Sequence, residues 1–187
     1  FLMQAETGTP DVIEGLLGDI VTYKNRDLIE PLTDKFNNWE ESNEFLDSAM
    51  EAMTIDGEVW GVPYVANVRL VLYRKSIFDK HNLDVPKTWN EFINTAATIS
   101  EEEEGMYGYS FTSAKGEPRV FQEFYGYFSQ IKSDMFIKEN GSWKVNATKA
   151  DFEKVLTLYK NMVDKGAVNK NELGISGGAQ DEGYVQG

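Results

Sequence analysis

Apolar positions recur along this chain in two rhythms, a helical spacing of three to four residues and a strand spacing of two, and the rhythms alternate. Gly8-Thr9-Pro10-Asp11 reads as a loop feeding a short buried strand at Val12-Ile13. Leu16, Leu17, Ile20, Val21 and Tyr23 fall near helical spacing, and Pro31 closes that unit with Leu28, Ile29 and Leu32 as core anchors. A second helical stretch spans 39–53, where Phe45, Leu46, Ala49, Met50 and Met53 share a face. Asp56-Gly57 is a two-residue hairpin turn between Met53-Thr54-Ile55 and Val59-Trp60-Gly61-Val62.

The run Val68 to Tyr73 is dense in strand formers and predicts a strand buried on at least one face. Ser76 to His81 predicts a short helix. Thr88-Trp89-Asn90-Glu91 fits a capping box, with Phe92, Ile93, Ala96, Ala97 and Ile99 as the apolar face behind it. Tyr107 to Phe111 reads as a strand, and 120–131 as a helix packed through Phe121, Phe124, Tyr125, Tyr127 and Phe128. Asn140-Gly141 marks a second hairpin. Thr148 and Asp151 open a last clear helix whose stripe is Phe152, Val155, Leu156, Tyr159 and Val163, with Gly166 as its stop. The glycine-rich stretch 174–183 reads as a loop, and Gly177-Gly178 lacks the Lys-Ser/Thr of a phosphate-binding loop. Strands alternating with helices predict the α/β class.

Composition narrows the chemistry. The 187 residues carry Lys+Arg 18 against Asp+Glu 31, a net charge of −13 that repels phosphate backbones, so no nucleic-acid partner is expected. There is no cysteine, which removes disulfides, thiolate metal sites and thiol nucleophiles. His81 is the only histidine and sits in a charged helix end, Phe78-Asp79-Lys80-His81-Asn82, so neither a histidine metal centre nor a Ser-His-Asp triad is expected. The acidic run 101–104 reads as a solvated helix end. No cofactor and no metal site is predicted.

Aromatic content is high, at 13%. A pyranose has an apolar C–H face and a hydroxyl edge, so a sugar site wants flat rings with carboxylates, amides or arginine beside them. By residue type the candidates are Trp60, Tyr64, Trp89, Tyr125 and Trp143, with Trp60 and Trp89 placed in the packing instead.

The block from Asp56 to Phe92 resembles the middle of an extracellular solute-binding protein, the capture subunit of an ABC importer, from the group that binds sugars and oligosaccharides. Gly57 to Tyr64 is similar to that family's Gly-x-x-Tyr/Trp-Gly-Val-Pro-Tyr segment. Leu72 to Phe78 is similar to its Leu-x-Tyr-Asn-Lys-Asp-Leu-Phe, with Arg74 and Ser76 in place of Asn and Asp. Pro86 to Phe92 follows its Pro-x-Thr-Trp-Asp/Glu-Glu-Phe. The resemblance implies a two-lobed periplasmic-binding-protein-like fold (type II), with residues 1–64 in the first lobe, 65–187 in the second, and a hinge crossing near 62–67. It also implies that the chain is truncated at both ends, since Tyr184 to Gly187 stops where the family's Phe-x-x-Gly-Lys-x-Ala-Met begins. Pro10 to Ile13 is similar to a strand-closing motif whose following loop lines the cleft, which places Glu14, Gly15 and Asp19 there. Tyr64, Asn67 and Arg69 inherit ligand contact from the crossing. Maltodextrin-binding members have a Glu-Pro followed by aromatics; here that falls on Glu117-Pro118, with Arg119 where an aromatic is expected and Tyr125 nearby. The implied protein is a bacterial, extracellular or periplasmic monomer, free or lipid-anchored. Its partners are a small-molecule ligand, a saccharide above others, and the membrane permease subunits; it is not an enzyme. The open alternatives are a carbohydrate hydrolase using paired carboxylates, or the same family binding a polyamine, peptide or metal complex.

Overall fold

The computed structural model of the chain describes residues 10–186. The chain divides into two compact units, one running to Val68 and the other beginning at Arg69.

In the first unit, helix α1 (Leu17–Lys24) carries Asp19 in its first turn and Lys24 in its last, each favoured by the helix dipole. The single helix expected over 39–53 is instead broken. Helix α2 (Thr33–Asn37) and a 3-10 turn at Ser42–Glu44 precede α3 (Asp47–Met53). The cause is an aromatic cluster. Phe36, Trp39 and Phe45 lie with ring centroids 5.3 to 6.2 Å apart, which requires the chain to turn rather than continue helically. Strands β1 (Thr54–Ile55) and β2 (Glu58–Val59) form the expected hairpin, pairing Thr54 with Val59 and Ile55 with Glu58. Asp56 (φ 55) and Gly57 (φ 87) both adopt the left-handed conformation such a turn demands. Val59 is buried; its N–H donates to Thr33 Oγ1 at 3.0 Å and its carbonyl accepts from Leu32 at 2.7 Å.

Three expected strands do not form, Tyr107–Phe111 of the second unit among them. Val12 is 86% exposed at a bend, and the run from Val68 to Tyr73 is exposed and forms no regular element, with Leu70 at 74%. Strand-forming side chains favour an extended backbone, but a strand also needs a neighbour for its N–H and C=O groups. Among the described residues the ladders are confined to the two hairpins.

The second unit holds the main core. Helix α4 (Lys75–Lys80) buries Phe78, which packs on Tyr73. Helix α5 (Trp89–Glu102) buries Ile93, Ala96 and Ile99 along one face. Its Thr88 cap accepts from the Glu91 N–H as expected, but the Glu91 carboxylate reaches back to the Lys87 N–H rather than to Thr88. The expected strand Tyr107–Phe111 forms no ladder and bends at Gly108. Gly108 lies so close to α5 that a Cβ there would meet the Ala96 carbonyl oxygen at 2.0 Å, and Tyr109 N–H donates to Ala167. Helix α6 (Pro118–Phe128), strands β3 (Phe136–Glu139) and β4 (Ser142–Val145), and α7 (Lys149–Asp164) follow. Phe128, Val155, Met162 and Ile93 are the largest fully buried side chains, each worth about 1.5–3 kcal/mol in removed apolar surface. The Asn140-Gly141 turn (φ 51 and 78) sets β3 against β4, and α7 has a complete capping box between Thr148 and Asp151. The loop expected at 174–183 is mostly helix, α8 (Gly177–Gln186). Glycine disfavours helix by about 1 kcal/mol per residue, and contacts from other elements offset that cost.

Candidate functional site

The candidates of the first unit lie along α1 and the segment after β2. Glu14 and Gly15 are exposed in the loop before α1, and Asp19 is partly buried in its first turn. Tyr64 is 71% exposed, and the nearby Glu14 carboxylate raises the tyrosine pKa. Those two are therefore brought together. Asn67 stands exposed outside any regular element. The Lys24 ammonium lies over one face of the Trp60 ring, 5.3 Å from its centroid.

In the second unit, Glu117 and Arg119 meet α8. Glu117 caps α6 by accepting from the Arg119 N–H at 3.2 Å, and its other oxygen accepts from the Gly177 N–H at 3.2 Å. The Gly177 and Arg119 amides hold the Glu117 carboxyl below its usual range. Arg119 grips Asp181 end-on, Nη1 to Oδ1 at 2.7 Å and Nη2 to Oδ2 at 3.0 Å, and Nη1 also donates to the Gly177 carbonyl at 2.9 Å. This guanidinium pushes the Asp181 pKa down. Arg74 donates to the Tyr184 carbonyl and lies over the Tyr184 ring, and Gln180 donates to the Ser110 carbonyl at 2.8 Å. Such contacts hold the glycine-rich segment helical.

Beside Glu117 is an open groove of about 400 Å³ lined by Ser113, Ala114, Lys115, Val120, Phe121 and Phe124. Phe121 and Tyr125, one turn apart on α6, stack at 6.0 Å, and the Tyr125 hydroxyl donates to the Ser133 carbonyl. Glu123, on the same helix, is half-buried; desolvation raises its pKa although the Thr112 N–H donates to it at 3.0 Å. Arg69 lies within electrostatic reach of both Glu123 and Asp181. Beneath α6 the Tyr109 and Tyr127 hydroxyls bond at 2.7 Å, and burial pushes the Tyr109 pKa up to about 12.

Trp89 packs edge-on against Phe92 and Tyr127 and donates to Gln130, a packing role as expected. Trp143 is exposed on β4. His81 lies 2.5 Å from the Glu103 carboxylate at the end of α4. Among the described residues no cluster of His, Cys, Asp or Glu is placed to hold a metal ion. Sequence reading missed Gly177 and Asp181 as partners of Arg119. They are one helical turn apart, a signal that appears only once that stretch is read as a helix.

A family model described as bacterial extracellular solute-binding protein matches residues 2–182. An uncharacterised ABC transporter extracellular-binding protein of Pyrococcus horikoshii is 38% identical over 60 residues, 32% of this chain and 14% of that protein. The multiple sugar-binding protein of Streptococcus mutans is 26% identical over 119 residues, 57% of this chain and 28% of that one. An ABC transporter solute-binding protein of Thermotoga lettingae, solved with alpha-D-tagatose bound, superposes with a TM-score of 0.77 at 23% identity over 91% of this chain and 44% of that one. At this identity the likeness shows the fold, that of an ABC solute-binding protein, as the motifs led us to expect. The chain spans less than half the length of each of these proteins.

Proposed function

The chain belongs to the bacterial extracellular solute-binding proteins, and from that premise we propose that its protein captures a small saccharide outside the cell membrane for an ABC importer. The family match over residues 2–182 carries this reading. The sugar-binding relative of Streptococcus mutans and the tagatose-bound Thermotoga protein support a saccharide as the ligand class.

The chemistry on the second unit suits such a ligand. The stacked Phe121 and Tyr125 rings offer an apolar platform, and Glu117 and Arg119 supply an acceptor and donors for hydroxyls. On the first unit, Tyr64 with Glu14 repeats the pairing of ring and carboxylate. Arg69 and Asn67 extend the candidate set, with Gly15 and Asp19 beside the Glu14 loop. Micromolar capture needs about −8 kcal/mol, within reach of a few hydrogen bonds and one or two stacked rings. In this reading the protein is a monomer that releases its ligand unchanged to the membrane subunits; no bond is broken.

A thermal-shift screen of the protein against mono- and oligosaccharides, with amino acids and polyamines as controls, tests the reading. Ligand that binds only the folded state raises the melting temperature by mass action. A saccharide is expected to raise it and the controls to leave it unchanged. A response confined to amino acids or polyamines would overturn the saccharide assignment.

A further inference from the structure

Arg119 is held from more sides than its place in a ligand site requires. A guanidinium carries five N–H donors in one plane. Among the described residues, Arg119 spends its end-on fork on Asp181 and its remaining Nη1 hydrogen on the Gly177 carbonyl. That leaves Nε–H and one Nη2 N–H, a second planar fork on a single edge, able to hold two adjacent hydroxyls or a carboxylate. Gly177 is fitted to this arrangement, since a Cβ there would lie 2.6 Å from Arg119 Nε and 2.7 Å from Cζ. The glycine thus lets the guanidinium rest directly on the backbone of α8. Charge settles which ligand the free fork suits. Asp181 pairs with Arg119, Glu117 and Glu123 lie on the same helix turn and its neighbour, and Arg69 and the groove's Lys115 are further cations nearby. Three carboxylates therefore balance three cations, and an added anion would meet no net positive field.

We propose that Gly177 and Asp181 are positioning residues for Arg119 and that Asp181, by cancelling its charge, tunes the site to neutral rather than acidic saccharides. The inference rests on the reading above, in which Arg119 touches the sugar. Its substrate class is a neutral saccharide presenting a vicinal diol.

The test is titration calorimetry of the protein with D-glucose and D-galactose, each beside its uronic acid, for wild type, Asp181→Asn, Asp181→Glu and Gly177→Ala. Wild type should favour the neutral member of a pair by about tenfold or more, and Asp181→Asn should shift that preference toward the uronic acid by about tenfold, the scale of one hydrogen bond to a charged group. Asp181→Glu should restore the neutral preference. Gly177→Ala alters no charge and displaces only the flexible end of Arg119. It should weaken both members alike, and it decides the matter if Asp181→Asn fails to fold by circular dichroism. Neutral preference unchanged in Asp181→Asn, with full affinity in Gly177→Ala, would overturn the inference while leaving saccharide capture standing. Binding of none of the four sugars by wild type would overturn the saccharide reading and this inference with it.

Discussion

Glu123 sits half-buried on α6, where lost hydration raises its pKa and the Thr112 N–H, Arg119 and Arg69 pull the other way. The net shift is upward, so the folded state holds this proton to higher pH than the unfolded chain does. Stability therefore falls as pH rises through the interval above the ordinary carboxylate value of about 4.3. Glu123→Gln removes that loss while keeping an oxygen for the Thr112 N–H. Its melting temperature should gain on wild type as pH goes from about 4 to about 7, read from a melting series across that range. A difference that stays flat with pH would show that Glu123 is fully hydrated. Glu117 and Asp181 act with the opposite sign. Both are lowered, by the Gly177 and Arg119 amides and by the Arg119 guanidinium respectively. Their contribution is present above the unfolded carboxylate value and is lost as pH falls through the folded one.

Helix α7 is the clearest case of an element written into its own residues. Thr148 accepts from the Asp151 N–H, Asp151 accepts from the Thr148 N–H at 3.0 Å, and Gly166 (φ 74) ends the last turn. Thr148→Ala should cost about 1 kcal/mol and lower the melting temperature by a few degrees, whereas Thr148→Ser should hold it near wild type. Both hairpins and α4 to α7 were legible for the same reason: turn residues, caps and apolar spacing are local. Elements decided by distant partners were not. The 39–53 stretch has helical spacing, but the Phe36, Trp39 and Phe45 rings collect only if it breaks. The 68–73 run has strand composition, yet composition supplies no ladder partner. Helix α8 has three glycines in its ten residues and is made by Glu117, Arg119, Arg74 and Gln180. The candidate site divides along that line. Glu117 and Arg119 could be named from a motif, while Gly177 and Asp181 become visible only when α8 stands against α6.

Across the whole chain, 31 acidic against 18 basic residues set a field that favours neutral or cationic solutes over anionic ones. Family membership rests on residues 2–182, most of the chain, whereas the candidate site rests on a handful of side chains in each unit. Capture and turnover differ in one observable. A binding protein takes up its ligand once and stops; a hydrolase goes on releasing heat while substrate remains. Isothermal titration of the full protein with a saccharide that raises its melting temperature separates them directly. Discrete heats that saturate at one ligand per protein, with the sugar recovered unchanged, are the predicted result. A sustained heat rate after each injection, or cleaved sugar in the cell, would contradict capture without chemistry.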